Sequence, residues 1–445
     1  MITYSIINKS ELEGAHRLDA EYYQPEYLEI AKILQNTPHK NFDEVVSNII
    51  NGAEIREYVE EDGLPYLRVS DIKEFFIDLS SVVHVTKESK IKQNIKLKEN
   101  DILLSRSGSL AIAAVVTPDL SNSIISSHLM RIPARGINPY FLVTFLNSKF
   151  GKAQIMQRNN GTIVPEINHP SLKSLLVPIL SENTQKEIEG IIKNAYQEIQ
   201  KSNRIYSQAE NLLLEELGLK NFEVEEDLSY IVNLSEIKSA HRADAEYFQP
   251  KYEKLVEKIK KYGADPLLSL AQNVAARFNP KSQTTKLFQY VELSNITSSV
   301  GIIDGFSEVS GDEAPSRAKR VLKVNDVILS SVEGSLEKVA LAEKEQEGYL
   351  ASNGFFQFRS NDILPEVLLV LAKSFVLQMQ FEKETAGTIL TAVPKEAVKN
   401  IVIPKINKPT QQKIADLVQK SHETRSKAKQ LLEQARQSIE SLIEG

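Results

Sequence analysis

The sequence predicts an α+β fold: two pseudo-two-fold related α+β domains joined by two long antiparallel coiled-coil helices. Three observations lead there. The first is an internal repeat. Ala15–Tyr27 reads AHRLDAEYYQPEY and Ala240–Tyr252 reads AHRADAEYFQPKY, identical at ten of thirteen positions at an offset of 225. The second is a pair of long heptad-patterned stretches, one closing each copy. The third is the alternation, within each copy, of short β-prone runs with Gly, Asn and Asp turns and two helical segments. The expected bounds are 1–183 for the first domain, 184–217 for its helix, 218–409 for the second domain and 410–445 for its helix.

The repeat holds along the chain. Leu97–Ser105 matches Leu322–Ser330, Gly108-Ser-Leu110 matches Gly334-Ser-Leu336, Gly161-Thr-Ile163 matches Gly387-Thr-Ile389, and Val177-Pro178 matches Ile403-Pro404. Residues 40–60, 115–160, 265–285 and 340–385 align poorly. A shared scaffold with divergent stretches points to two related tasks on two different targets.

Each domain opens with an expected strand, Ile2–Asn8 or Tyr230–Leu234. A helix then starts at Pro25 or Pro250, where proline suits the first turn, and runs to about Leu34 or Lys260. Expected strands follow at Tyr66–Ile72, Ser81–Thr86, Asp101–Ser105 and Ala111–Val116, with their partners. A second helix is expected over about Pro139–Gln157, and over Pro365–Glu382 in the second copy. The long helices follow Pro178 and Pro404. The first has its seam at Ile188, Ile192, Ala195, Ile199, Ser202, Tyr206, Ala209 and Leu213, a 4,3 alternation. The second repeats those positions at an offset of 226, from Ile414 to Ile439. Thr184 and Thr410 are the expected caps, Thr184 with Glu187 as a capping box, and Gly218 and Gly445 the stops. Small seam residues allow close approach within one chain; a coiled coil between chains is the alternative.

Composition narrows the function. The chain has 445 residues, 53 Lys+Arg against 59 Asp+Glu, and a net charge of -6. That is mildly acidic, whereas duplex binders carry a basic excess, although a whole-chain sum hides local faces. Cys is absent, which excludes disulfides, thiolate metal sites and a Cys nucleophile and suits the cytoplasm. No apolar run approaches the ~20 residues of a membrane span, and the N-terminus has no signal-peptide pattern.

Several constellations could carry chemistry. His16-Arg17-x-Asp19-x-Glu21, duplicated as His241, Arg242, Asp244 and Glu246, reads either as an acid–base or metal set or as a charge network fixing the helix start; duplication favours architecture. Asn138-Pro139-Tyr140 is a fragment of the adenine-methyltransferase motif without its second Pro. Asp78 with Glu88-Ser-Lys90 faintly follows a nuclease pattern that the second copy lacks. Gly151-Lys152 is followed by Ala153, so no phosphate loop forms. No catalytic or metal site is therefore expected.

Arg and Asn read base edges by bidentate hydrogen bonds, while Lys and backbone amides hold phosphates. Candidate DNA contacts in the first copy are Arg56, Arg68, Arg106, Ser107, Arg131, Arg158, Asn159, Asn160 and Thr162. In the second they are Arg277, Asn279, Lys281, Arg317, Lys319, Arg320, Lys338 and Thr388. The clusters Ser105–Gly108 and Gln157–Thr162 stand out, because they set basic and amide groups on turns beside repeated glycines.

On the N-D-I-L-L-S turn at Asn100–Ser105 (Asn325–Ser330), the Gly161-Thr162 and Gly387-Thr388 pairs, and the V-P or I-P steps before the helices carrying Gln185 and Gln411, the chain resembles the specificity subunit of type I restriction–modification systems. The likeness covers essentially the whole sequence. It implies two target-recognition domains, each reading one half of a split, asymmetric DNA site, with a helix pair setting the gap. About 33 helical residues span about 50 Å, against ~34 Å per duplex turn. It implies a non-catalytic subunit with double-stranded DNA, two methyltransferase subunits and restriction/translocase subunits as partners. No cofactor is expected on this chain; S-adenosylmethionine, ATP and Mg would sit on the partners. A non-DNA coiled-coil scaffold or adaptor with duplicated α+β domains is the competing expectation.

Overall fold

The computed structural model describes the chain except residues 1–3, 11, 13–16, 60–62, 81, 88–94, 162, 224–228 and 388–390. The chain forms two compact units, residues 1–199 with 426–445, and residues 200–425.

The first unit carries β1 (His39–Asn41), β2 (Ile50–Asn51), β3 (Leu64–Leu67), β4 (Val83–Val85), β5 (Asp101–Ser105), β6 (Ala113–Val115), β7 (Ile124–Ile125), β8 (Leu129–Pro133) and β9 (Leu176–Pro178). Its longer helices are α1 (Pro25–Asn36), α2 (Pro139–Asn147), α3 (Lys149–Gln157) and the first half of α4 (Glu182–Glu216). One sheet has the order β2-β8-β5-β6, a second β4-β3-β7, and β1 pairs with β9. All five residues of β5 are buried, as suits a central strand. Phe42, Phe141, Phe145 and Phe150 fill the core with Leu34 and Ile30 of α1. Ile188, Ile192 and Ala195 of α4 and Leu432, Ala435 and Ile439 of the C-terminal helical stretch close it.

The second unit carries α5 (Pro250–Tyr262), β10 (Ala264–Pro266), β11 (Ala271–Asn273), β12 (Leu287–Val291), β13 (Ile296–Thr297), β14 (Ile302–Ile303), β15 (Ser307–Ser310), β16 (Ala318–Val321), β17 (Asp326–Ser330), β18 (Val339–Leu341), β19 (Leu350–Ser352), β20 (Phe355–Ser360), α6 (Pro365–Lys373), α7 (Phe375–Lys383), β21 (Val402–Pro404) and α8 (Lys408–Glu444). Its larger sheet has the order β11-β20-β17-β18-β14-β13 and its smaller one β15-β12-β19-β16. The arrangement repeats the first unit. β17 lies between β20 and β18 as β5 lies between β8 and β6, and the parallel pair β12–β19 answers the parallel pair β3–β7.

The repeat also fixes equivalent bonds. Asn100 and Asn325 take left-handed backbones, φ 66° and 70°, which Asn tolerates better than most side chains. The next residue, Asp101 or Asp326, accepts a backbone bond from Lys98 (2.7 Å) or Lys323 (2.8 Å). Both carboxylates are buried and both are charge-compensated, but differently. Arg131, opposite Leu103 on β8, donates to Asp101 at 2.5 Å. At the matching register Gln357, opposite Ile328, donates to Asp326 at 2.6 Å. Arg359, two residues along β20, supplies the charge at 2.8 Å, where the first unit has Pro133.

Several expectations change. The strand expected over Tyr66–Ile72 stops at Leu67 and gives way to a 3-10 turn at Val69–Asp71. No strand forms at Tyr4–Asn8 or Tyr230–Asn233: Ile6 and Ile231 are 90% and 98% exposed, so nothing buries an alternating face. Instead Asn233 caps a short helix, Leu234–Ala240, with Glu236 returning to its backbone at 2.7 Å. The single helix expected over Pro139–Gln157 breaks at Ser148, which is extended (φ −73°, ψ 165°) and whose Oγ donates to the Phe145 carbonyl at 2.6 Å. A Cβ at Gly151 would lie 2.2 Å from that carbonyl, so the fold needs glycine there. Ser374 makes the same break between α6 and α7.

The long helices start before their expected caps. The Ser181 hydroxyl accepts from the Thr184 amide (3.2 Å) and Asn407 from Thr410 (2.9 Å), so α4 and α8 begin at Glu182 and Lys408. The end of α4 is as expected: Gly218 is left-handed (φ 64°), Leu219 donates to the Leu214 carbonyl and Gly218 to that of Glu215, a Schellman closure. Each unit pairs one end of α4 with the opposite end of α8. In the first, residues 188–195 share a core with 432–443; in the second, 206–217 share one with 414–418. In the second unit, too, the Ser202 and Ser421 hydroxyls each donate to the other's carbonyl at 2.8 Å, fully buried. No described helix is long and apolar enough to cross a membrane.

Candidate nucleic-acid interface

In the first unit two turns, 105–109 and 157–167, are laced together. Arg106 donates its backbone N–H to the His128 carbonyl and accepts from Ile167, both at 2.9 Å, and Gly108 donates to Pro165 at 3.0 Å. Ser107 bridges to Glu166. Asn160 donates its N–H to the Glu166 carbonyl at 2.7 Å. The Asn159 side-chain oxygen accepts from both Gly161 and Glu166 at 2.9 Å, closing the loop between them. A Cβ at Gly161 would sit 1.8 Å from the Val164 carbonyl, so this loop also requires glycine. On this frame the Arg106 guanidinium pairs with the Glu166 carboxylate, the two side chains 20% and 44% exposed. Its Nε is buried without a hydrogen-bond partner among the described residues.

Around that centre the remaining candidates divide. Asn160 is exposed and accepts from Ser171 at 3.1 Å. Arg56 is exposed and paired with Glu54 at 2.6 Å, which holds the Glu54 carboxyl below its ordinary range. Arg158 turns back onto its own helix end, bonding Gln154 (3.1 Å), Gln157 (3.0 Å) and Ser174 (2.9 Å); burial pulls its pKa down. Arg68 begins a tight turn, its N–H donating to Asp71 at 2.8 Å and its guanidinium 3.6 Å from the same carboxylate. Burial pushes the Asp71 carboxyl up. Arg131 is the buried partner of Asp101 inside the sheet. Thr162 lies outside the described residues. Sequence reasoning missed Glu166 and His169. His169 bonds Asn51 at 2.8 Å, and burial together with the Arg106 charge lowers its pKa. Nothing in the residue type or local pattern of Glu166 marked it.

In the second unit the same backbone frame recurs with other side chains. Ser331 donates to Gly354 (2.8 Å) and accepts from Val393 (2.7 Å), Glu333 donates to Thr391 (3.0 Å), and Val332 bridges to Ala392. Where the first unit places Arg106, Ser107 and Glu166, the second places Ser331, Val332 and Ala392. Several of the basic candidates instead gather at the β16 edge of the smaller sheet. Phe278 donates to the Lys319 carbonyl at 3.0 Å, laying residues 274–278 along that edge. Arg277, Arg317 and Lys319 are exposed there; the exposed Asn279 caps the turn at Pro280–Gln283, and this turn, with the exposed Lys281, packs beside Gly311 and Asp312 at the end of β15. Arg320 is buried and donates to the Val274 carbonyl at 2.5 Å; desolvation lowers it to about 10. Lys338 is half-buried near the start of β18. Thr388 lies outside the described residues.

The duplicated charge motif is architectural where it is described. Arg17 is bidentate to Asp19 (2.6 and 2.7 Å) and lies 5.2 Å from the Tyr22 ring. Arg242 repeats this with Asp244 (2.9 and 2.5 Å) and Tyr247 (4.5 Å). The same guanidiniums reach the carbonyls of Asn159, just after α3, and of Lys383, the last residue of α7. His16 lies outside the described residues. The described residues contain no cluster of three or more His, Asp or Glu that could hold a metal ion.

No protein-family model matches the chain, and no curated protein matches it significantly. Solved structures similar to it include a type I restriction–modification S subunit from M. genitalium, at 12% identity and a TM-score of 0.35, covering 91% of this chain and 94% of that one. They also include the HsdS subunit from Thermoanaerobacter tengcongensis, at 14% identity and a TM-score of 0.30, covering 92% and 96%.

Proposed function

We propose that this chain is a sequence-specific DNA-binding specificity subunit of a type I restriction–modification complex. Each unit reads one half of a split, asymmetric site, and the chain directs adenine N6-methylation and restriction by partner subunits. One observation carries the reading: a single backbone frame is built twice, yet the side chains it displays differ, Arg106-Ser107 with Glu166 against Ser331-Val332 with Ala392. A scaffold has no use for conserving a presentation frame while changing what it presents; a reader of two unlike half-sites does. The cationic strip along β16 suits phosphate contact and offsets locally the net charge of -6.

The chain itself contributes no chemistry in this reading. Two methyltransferase subunits bind S-adenosylmethionine and flip the target adenine, and restriction/translocase subunits use ATP and Mg, all in the cytoplasm. The test is co-expression with the methyltransferase subunit of its own operon, followed by genome-wide mapping of methyl-adenine. A single split motif that disappears when this chain is omitted is expected. Methylation independent of the chain overturns the proposal, and a soluble complex with no methylation in it favours the scaffold reading.

A further inference from the structure

From the pairing of Arg106 with Glu166 we infer that the first unit reads a G·C base pair with these two side chains acting as one element, Glu166 being a specificity-determining residue. The inference rests on the DNA-reading function proposed above. The major-groove edge of a G·C pair runs acceptor, acceptor, donor: guanine N7 and O6, then the cytosine N4 amino group. A guanidinium beside a carboxylate offers the complement, two donors and then an acceptor. An A·T pair interposes the adenine amino group between two acceptors and adds a methyl group, so it meets an arginine fork with a donor and a carboxylate with an acceptor.

The structure supplies the placement. Both residues project from fixed turns: Arg106 from main-chain bonds to His128 and Ile167, Glu166 from its N–H donating to the Asn159 side-chain oxygen and its carbonyl accepting from Asn160. The carboxylate is the more exposed member, and it holds the guanidinium's orientation in the absence of a base. At the equivalent places the second unit carries Ser331 and Ala392, so it has no such element. There Val332, half-buried at the position of Ser107, presents an apolar surface of the kind that meets a thymine methyl.

The experiment is methyl-adenine mapping of the complex carrying the wild-type chain, Arg106→Lys, Glu166→Gln, and the double change Arg106→Ser with Glu166→Ala. The double change installs the residues the second unit already carries on this frame, so the backbone accepts it. A good bidentate contact contributes about 1–3 kcal/mol of discrimination. Arg106→Lys and the double change are therefore expected to relax one G·C position of the first half-motif by roughly 5- to 150-fold, with the second half-motif unchanged. Glu166→Gln is expected to relax the same position by less. An unchanged first half-motif in the double variant overturns the inference. So does relaxation of both half-motifs alike, which marks a structural role. A wild-type complex that methylates without any dependence on this chain sinks the underlying reading instead.

Discussion

Arg131 and Asp101 give the sharpest stability experiment. The guanidinium and carboxylate are 7% and 5% exposed, so removing one leaves a buried charge uncompensated. Breaking such a pair costs about 3–5 kcal/mol, and Arg131→Ala should lose that much. Arg131→Gln copies Gln357, which donates to Asp326 at 2.6 Å in the second unit. A hydrogen bond to a charged group contributes about 1.5–3 kcal/mol, so the glutamine should recover part of the loss. It lacks the charge that Arg359 provides two residues further along β20. Adding Pro133→Arg to Arg131→Gln therefore transplants the second unit's whole arrangement into the first and should restore stability to within about 1 kcal/mol. Native-state hydrogen exchange reads this directly, with β17 as an internal reference for β5. About 3–5 kcal/mol corresponds to exchange about 10²–10³-fold faster or more at β5 in the alanine variant, with β17 unmoved. Survival of β5 protection in Arg131→Ala, or no recovery in the double variant, would refute a structural role for the pair. A relaxed methylation motif with full stability would instead make Arg131 a base reader.

Further outcomes follow from the same bonds. Ser202→Ala should cost about 0.5–1.5 kcal/mol by leaving Ser421 half-satisfied, while Ser202→Ala with Ser421→Ala should cost less than the sum, since Ala195 and Ala428 already occupy the equivalent seam positions; additivity in a denaturant double-mutant cycle would contradict this. Arg17 and Arg242 hold the Asp19 and Asp244 carboxyls below their ordinary range. A lowered folded pKa gives stability that is present above the unfolded value of about 4 and lost as pH falls through the folded value. Asp19→Asn should flatten the acid limb of the unfolding midpoint between pH 5 and 3, and an identical limb in the variant would refute it. Gly161→Ala should disrupt the loop held by Asn159 and weaken recognition of the first half-motif alone, measured by methylation mapping; equal loss in both halves would refute a local effect.

Much of the fold was legible because the chain states it twice. Asp101–Ser105 was readable to the residue, since a buried apolar run after an Asn turn has one interpretation, and the second copy confirms the period. Cap positions were less legible. Ser181 and Asn407 compete with Thr184 and Thr410 for the same amides, and only the approach of the chain from β9 or β21 decides which wins. The break at Ser148 was hidden because nothing local forbids a continuous helix; it recurs at Ser374, where Leu377 stands in the place of Gly151, so the turn made by the serine is what the two copies share. Arg106, Asn159 and Asn160 were findable as basic and amide groups beside a repeated glycine. Glu166 was not, because a carboxylate gains meaning here only from the guanidinium sixty residues away. Arg131, Arg158 and Arg320 show the converse limit, since the sequence does not tell a buried or folded-back arginine from an exposed one.

The lacing of the two turns by main-chain bonds has an evolutionary consequence. Outside Asn159 and Gly161, stability at this place is stored in main-chain amides and carbonyls, which every residue type except proline carries in full. The side chains at 106, 107 and 166, or at 331, 332 and 392, are thus nearly uncoupled from folding. A lineage can exchange them singly or together without passing through an unfolded ancestor, so recognition can drift quickly while the body of the protein stands still. Two copies within one gene then let one half explore new sequences while the other keeps the old one.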